Sequence, residues 1–379
     1  MTDFFKDIKN LDPKMAECPA DSDGIAWHVP FAPPMQLSGF AWFDKDHKYE
    51  RLPLDRPTEV TQFPNGVKTM VPAAKCGAYA LSPNTAGGMV RFRTDSATFQ
   101  IRGELAATWG MDHMAFTGSS GFDIYLKFGG VWKCLGVTRT DHSKLVFSAN
   151  VVSGVKREMR DVLINMPLYT GVTSFFIGLN DDAKIEPPTP FADERRIVWY
   201  GTSIQQGGCA CRPGMVSSNI ISRMLNREVI NLAFSGNGKG EPEMAQMLAD
   251  IKNPALYIVD YTWNVDPNAL KATLPTFVDI LRRAHPTVPI LICSPTPGKD
   301  YFLEMHPESL DARAKTMKDE VAKRRAAGDQ NVFFFDALHE GLGEDFWEGY
   351  VDGAHLTDLG FYRLAQAIAP LLKVILGEY

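Results

Sequence analysis

Cysteine is scarce in this chain, six residues in 379, and Cys18, Cys76, Cys134 and Cys293 stand apart without the spacing of a disulfide framework or a metal-ligand set. Reduced thiols are the expectation. No excess of positive charge is present: 39 Lys and Arg stand against 45 Asp and Glu, a net charge of -6, with the signs interspersed. That balance offers no footprint for nucleic acid or anionic lipid, and no nucleic-acid partner is expected. No apolar run approaches the roughly 20 residues of a membrane span. The opening Met1-Thr2-Asp3-Phe4-Phe5-Lys6-Asp7 carries acids where a secretory signal needs a basic stretch followed by an apolar run. No membrane contact and a cytoplasmic location are the expectations. Internal repeats and low-complexity tracts are also lacking.

What is present is the balance of an ordinary globular protein, 45% hydrophobic and 22% charged. The length exceeds what one hydrophobic core serves, so two domains are expected. Across residues 88–179, short runs such as Met89-Val90-Arg91-Phe92-Arg93, Thr98-Phe99-Gln100-Ile101-Arg102, Phe122-Asp123-Ile124-Tyr125-Leu126 and Ser174-Phe175-Phe176-Ile177-Gly178 lie between turn residues. They predict a jelly-roll-like β-sandwich that the preceding residues wrap. Charges and three prolines in residues 180–190 predict an extended connector. The expected division is a β-sandwich domain over 1–185 and a second domain over 186–379.

In the second part, apolar runs at 197–200, 229–232, 256–259, 290–293 and 332–335 alternate with helical stretches such as 269–284 and 359–372. Continuous rather than alternating apolar strands imply burial on both faces, hence a parallel sheet between helix layers. Ligands of such sheets sit at the carboxyl ends of the strands.

Chemistry-bearing residues fall at those ends. The first strand runs into Gly201-Thr202-Ser203-Ile204-Gln205, placing Ser203 where a helix begins and unpaired N–H groups stabilise negative charge. Alone, Gly-Thr-Ser fits any turn. Asp352-Gly353-Ala354-His355 precedes the last helix; an imidazole oriented by a carboxylate is what activates a serine hydroxyl. By itself it equally suits a helix start, for which Thr357 is the cap. Phe234-Ser235-Gly236-Asn237-Gly238 and Thr262-Trp263-Asn264 end the second and third strands and offer donors for a tetrahedral oxyanion.

Serine, glycine, asparagine and histidine in this order, at successive strand ends, resemble the four blocks of the SGNH (GDSL-like) hydrolase superfamily. Gly121-Phe122-Asp123-Ile124-Tyr125 further resembles the Gly-x-Asp-Leu-Tyr signature of a branch with an N-terminal β-domain, with Ile for Leu; Pro167-Leu168-Tyr169 fits as well. The resemblance implies a flavodoxin-like α/β/α hydrolase domain, with Ser203 as nucleophile and His355 as general base and then acid. Asp352 is its orienting partner, and the oxyanion donors are the N–H groups of Ser203 and Gly236 and the amide of Asn264. Thr202 stands where the superfamily usually has Asp, and Thr262 where it usually has Gly. Should Asn264 cap a loop, two oxyanion donors remain.

Arg212 offers a guanidinium fork to a substrate carboxylate or, alternatively, fixes its own loop; Trp263 offers a sugar-stacking face or simply packs. Cys209-Ala210-Cys211 lacks the partners of a zinc site. His113, His142, His285, His306 and His339 lack companion carboxylates at useful spacing and are read as surface or core residues. The expected activity is metal-free, cofactor-free hydrolysis of a small-molecule or oligosaccharide ester, O-acetyl on a carbohydrate being favoured. A carbohydrate-binding protein with an inactive hydrolase domain, an acyl hydrolase acting on other esters, and an amidase or peptidase remain as alternatives.

Overall fold

A computed structural model describes residues 23–46, 48–108, 110–299 and 307–378; the opening heptapeptide, Cys18 and His306 lie outside the described residues. Two antiparallel sheets form the N-terminal sandwich. One orders strands Ile25–His28, Val172–Asn180, Phe99–Leu105 and Val146–Val152; the other runs Ile185–Glu186, Met89–Thr94, Arg160–Asn165, Asp123–Phe128 and Val131–Val137, with Gln36–Ser38 beside Met89–Thr94. The period of two explains the core. Val90, Phe92, Ile124, Leu126, Val162 and Ile164 of one sheet meet Phe99, Ile101, Phe175, Ile177 and Leu179 of the other. Their alternates Met89, Tyr125 and Leu163 form a separate buried cluster on the opposite face. The connector is extended, and Ile185–Glu186 takes an edge position, as its flanking prolines require.

The sheet of the second domain is wholly parallel, in the order Arg227–Ala233, Asp193–Gly201, Pro254–Asp260, Ile290–Cys293, Val332–Phe335. This is the flavodoxin-like order, whose switch point lies between the first and third strands in sequence. Alternate residues serve two cores. Val198, Tyr200, Ile230 and Tyr257 face helices Pro242–Ala249 and Pro267–Ala284, whereas Ile197, Trp199, Val229 and Leu256 face helices Ser217–Leu225 and Asp358–Leu376. Gly201 is level with both Ala233 and Asp260, so three strand ends open on one edge.

Two expectations are corrected. Only part of the leading segment wraps the sandwich: Leu52, Val60, Cys76, Ala78 and Tyr79 are buried in the core beneath the parallel sheet. Thr61 holds Glu243 through its backbone N–H at 3.0 Å and its hydroxyl at 2.8 Å. Also, helix Asp358–Leu376 is long and apolar enough to cross a membrane by length and composition. Here Phe361, Leu364, Ala365, Ile368 and Leu372 bury its apolar stripe in the second core, which is the ordinary use of an amphipathic helix.

Candidate active site

Strand Asp193–Gly201 delivers Ser203 into a single helical turn, Ser203–Gln206, closed by Gly207 at φ 108°. Thr202 caps that turn. Its Oγ1 accepts from the Ile204 N–H, and Gln205 Oε1 accepts from the N–H and hydroxyl of Thr202 at 2.9 Å each, a reciprocal capping box. The amide of Gln205 donates to Asp260 at 2.6 Å. Burial raises the Asp260 carboxyl well above its usual range, against the pull of that hydrogen bond. The sequence leads to expect a helix here; with one turn present, the nucleophile loop is fixed by side-chain bonds rather than by a long dipole.

Ser203, His355 and Asp352 converge. The Ser203 hydroxyl lies 2.9 Å from His355 Nε2, and His355 Nδ1 lies 2.8 Å from Asp352 Oδ2. Asp352 Oδ1 also accepts from the N–H groups of Ala354 and His355 at 2.9 and 2.7 Å. Partial burial opposes the Asp352 charge, yet these bonds hold its carboxyl well below the ordinary range. An ionised acceptor at Nδ1 keeps the proton on that nitrogen and leaves the Nε2 lone pair for the serine hydroxyl. Thr357 caps the following helix through the Gly360 N–H, as expected.

The N–H groups of Ser203 and Gly236 have no acceptor among the described residues. Gly236 adopts φ 66°, and open space lies where its β-carbon would be, so the backbone can approach a ligand there. Asn264 is near but engaged: its amide donates to Phe234 O at 3.3 Å and Gly238 O at 3.2 Å. Its contacts are those of the loop-holding alternative.

Arg212 and Trp263 make the contacts of the structural reading offered for each. Arg212 bonds Asp123 at 3.0 Å and the Tyr125 hydroxyl, and lies against Met215, so its guanidinium is committed to the sandwich rather than offered to a ligand. Asp123 is fully buried and also accepts from the Gly214 N–H and the Asn165 amide at 2.7 Å each. Gly214 is required: a β-carbon would stand 2.4 Å from the Tyr125 ring. The Gly-x-Asp-x-Tyr residues thus clamp the loop that follows the nucleophile. Trp263 bonds Thr296 at 3.2 Å and packs beside Leu310 and Leu338.

Three neighbours of the triad escape sequence reasoning. Tyr169 donates to the Ser203 carbonyl at 3.2 Å from the other domain. His113, read as an isolated residue, sets its ring edge-on to that of His355 at 5.6 Å and has Asp112 beside it. Cys209 is buried, and burial together with Asp352 pushes its thiol up to about 12. Cys211 turns elsewhere, to Asp358 at 2.6 Å. Pro167-Leu168-Tyr169 is the signal that could have found Tyr169; nothing comparable marks the other two.

The model of the GDSL-like lipase/acylhydrolase family matches residues 194–373, and the GxDLY model, the N-terminus of SGNH-hydrolase-type esterases, matches residues 25–185. Among solved structures, one described as a GDSL-like lipase from Bacteroides ovatus is 28% identical, covering 93% of this chain and 98% of its own, at TM-score 0.80. The salicylyl-acyltransferase SsfX3 from a tetracycline biosynthetic pathway is 18% identical, covering 94% and 100%, at TM-score 0.69. A family two carbohydrate esterase from Clostridium thermocellum, in complex with cellohexaose, is 15% identical, covering 87% and 98%, at TM-score 0.56. The last two share the fold alone. No curated protein matches the chain. With both parts matched by models that adjoin in this order, the chain belongs to the SGNH-type (GDSL-like) lipases and acylhydrolases that carry a GxDLY N-terminal domain.

Proposed function

We propose that this protein is a serine esterase that removes short acyl groups, O-acetyl above all, from a carbohydrate. The observation that carries the reading is the relay from Ser203 through His355 to Asp352, at 2.9 and 2.8 Å. Ser203 Oγ attacks the ester carbonyl while His355 Nε2 takes its proton, and Asp352 stabilises the imidazolium. The oxyanion is received by the N–H groups of Ser203 and Gly236, and each such donor contributes about 3 kcal/mol in comparable sites. His355 returns the proton to the leaving alcohol, forming an acyl-enzyme. Water, deprotonated by the same imidazole, then attacks the acyl carbon and releases the acid.

The groups crowding the pair are small or polar: Gly208, the Tyr169 hydroxyl, His113 and Cys209. Such a lining favours a short acyl chain over a long apolar one. The carbohydrate is supported by the fold shared with the cellohexaose-bound carbohydrate esterase. A panel of acetylated oligosaccharides set against long-chain esters tests the substrate; preference for long chains would remove the acetyl assignment. Ser203→Ala should lower turnover roughly a thousandfold or more. Equal rates in wild type and variant would refute the nucleophile.

A further inference from the structure

One donor atom each from His113, Cys209 and His355 lies within 4.8 Å of the others. The proposed reaction uses only His355 of the three, so the meeting of two imidazoles with a thiol is unexplained by ester cleavage. Tetrahedral zinc holds nitrogen at about 2.0–2.1 Å and sulfur at about 2.3 Å, which spaces its donors about 3.4–3.6 Å apart. Closing this set requires a movement of about 1 Å. His113, half-buried on a loop that joins two elements, is placed to supply it.

Each ring has a carboxylate beside its Nδ1. Nδ1 of His355 faces Asp352 at 2.8 Å, and Nδ1 of His113 faces Asp112 at 3.3 Å. A carboxylate at Nδ1 retains the proton there and leaves Nε2 as the donor, the usual outer-shell support of zinc-bound histidine. Cys209 supplies the soft ligand from a conformation that opposes it. Its φ of 77° is left-handed, where glycine would sit without strain. A side chain is nevertheless present there, and its sulfur reaches the imidazole pair.

We propose that His113, Cys209 and His355 form a site for a soft divalent cation, zinc foremost, whose binding switches the enzyme off. The switching half rests on the reading of His355 as the base of Ser203. As the cation binds, the His355 Nε2 lone pair forms the metal–nitrogen bond and is withdrawn from the Ser203 hydroxyl. The Cys209 thiol gives its proton to water as the metal–sulfur bond forms, and no oxidation state changes. Ser203 stays protonated until the cation leaves.

Cobalt(II), added to the full chain and to its Ser203→Ala variant, should give a near-ultraviolet thiolate-to-cobalt band saturating at about one equivalent. Cys209→Gly should abolish the band, and His113→Ala should weaken binding about tenfold or more. Glycine suits the φ at 209 and His113 is only half-buried; circular dichroism of each variant beside wild type confirms that the readings are taken on folded protein. In a second arm, zinc chloride is titrated against acetyl-ester turnover, each variant normalised to its own zinc-free rate. Wild type should be inhibited and rescued by EDTA, with the half-inhibitory concentration raised about tenfold or more in both variants. Absence of the cobalt band, or the same half-inhibitory concentration in all three proteins, overturns the proposal. A cobalt band without any ester turnover in wild type would instead overturn the esterase reading and leave the metal site standing.

Discussion

Asp123 lies in the N-terminal sandwich, yet Asp123→Ala should impair the chemistry in the other domain. The fully buried carboxylate accepts from Arg212 at 3.0 Å, from the Gly214 N–H at 2.7 Å and from the Asn165 amide at 2.7 Å. Alanine leaves a cation and two polar donors unmatched. Breaking a buried pair costs about 3–5 kcal/mol; because the Arg212 side chain is 22% exposed, water recovers part, which places the loss near 3 kcal/mol. At about 2.1 cal/mol/K per residue, a chain of this length melts about 4 °C lower. The loop that loses its clamp includes Gly208 and Cys209, which adjoin His355, so a displacement of about 1 Å should lower kcat/KM about 100-fold. Asp123→Asn keeps an acceptor for Gly214 and should fall between. The assay is acetyl-ester turnover at 25 °C beside circular dichroism and a melting scan, so that lost activity is read on folded protein. Full kcat/KM in Asp123→Ala with an unchanged melt would refute the clamp; a lower melt with full activity would confine it to stability.

Asp352→Asn should retain the fold and lower kcat roughly a thousandfold to ten-thousandfold, because a neutral amide neither fixes the Nδ1 proton nor stabilises the imidazolium; near wild-type turnover would remove Asp352 from the relay. Glu241 gives a pH prediction. Burial pushes its carboxyl up to about 7, against bonds from the Tyr200 hydroxyl and Lys239 N–H. Its folded pKa lies above the unfolded value of about 4.3, so its contribution to stability is full below that pH and is lost as pH rises through about 7, a change of about 3 kcal/mol. Denaturation midpoints of Glu241→Gln should therefore gain on wild type between about pH 5 and about pH 8; parallel curves would refute the assignment.

How much of this was legible depends on the distance over which each signal acts. The parallel strands announce themselves as unbroken apolar runs because both faces are buried; Ile290–Cys293 coincides with its run. The Ser203, His355 and Asp352 convergence is legible because strand ends of one parallel sheet share an edge, and because Asp352 and His355 lie on one turn. Strands Val131–Val137 and Val146–Val152 left little trace, being half-exposed and interspersed with polar residues. His113 and Cys209 carry no periodicity or spacing that foretells their meeting: 96 positions separate them by number, and only the docking of one domain on the other brings them together. The sequence leaves Arg212 open between a ligand and its own loop because its acceptor, Asp123, is as remote in sequence.

Arg51 and the residues after it make the hydrolase half a product of the whole chain. Arg51, fully buried, donates to the carbonyl of Ala233 and lies over the Phe234 ring at 4.4 Å, two residues before Gly236. A fragment beginning at 186 would lack this brace and the apolar wall formed by Leu52, Val60 and Tyr79. The chain thus visits the hydrolase core before completing its sandwich, and cutting it in sequence would divide what is joined in space. Folding and inheritance should treat the pair as one cooperative unit.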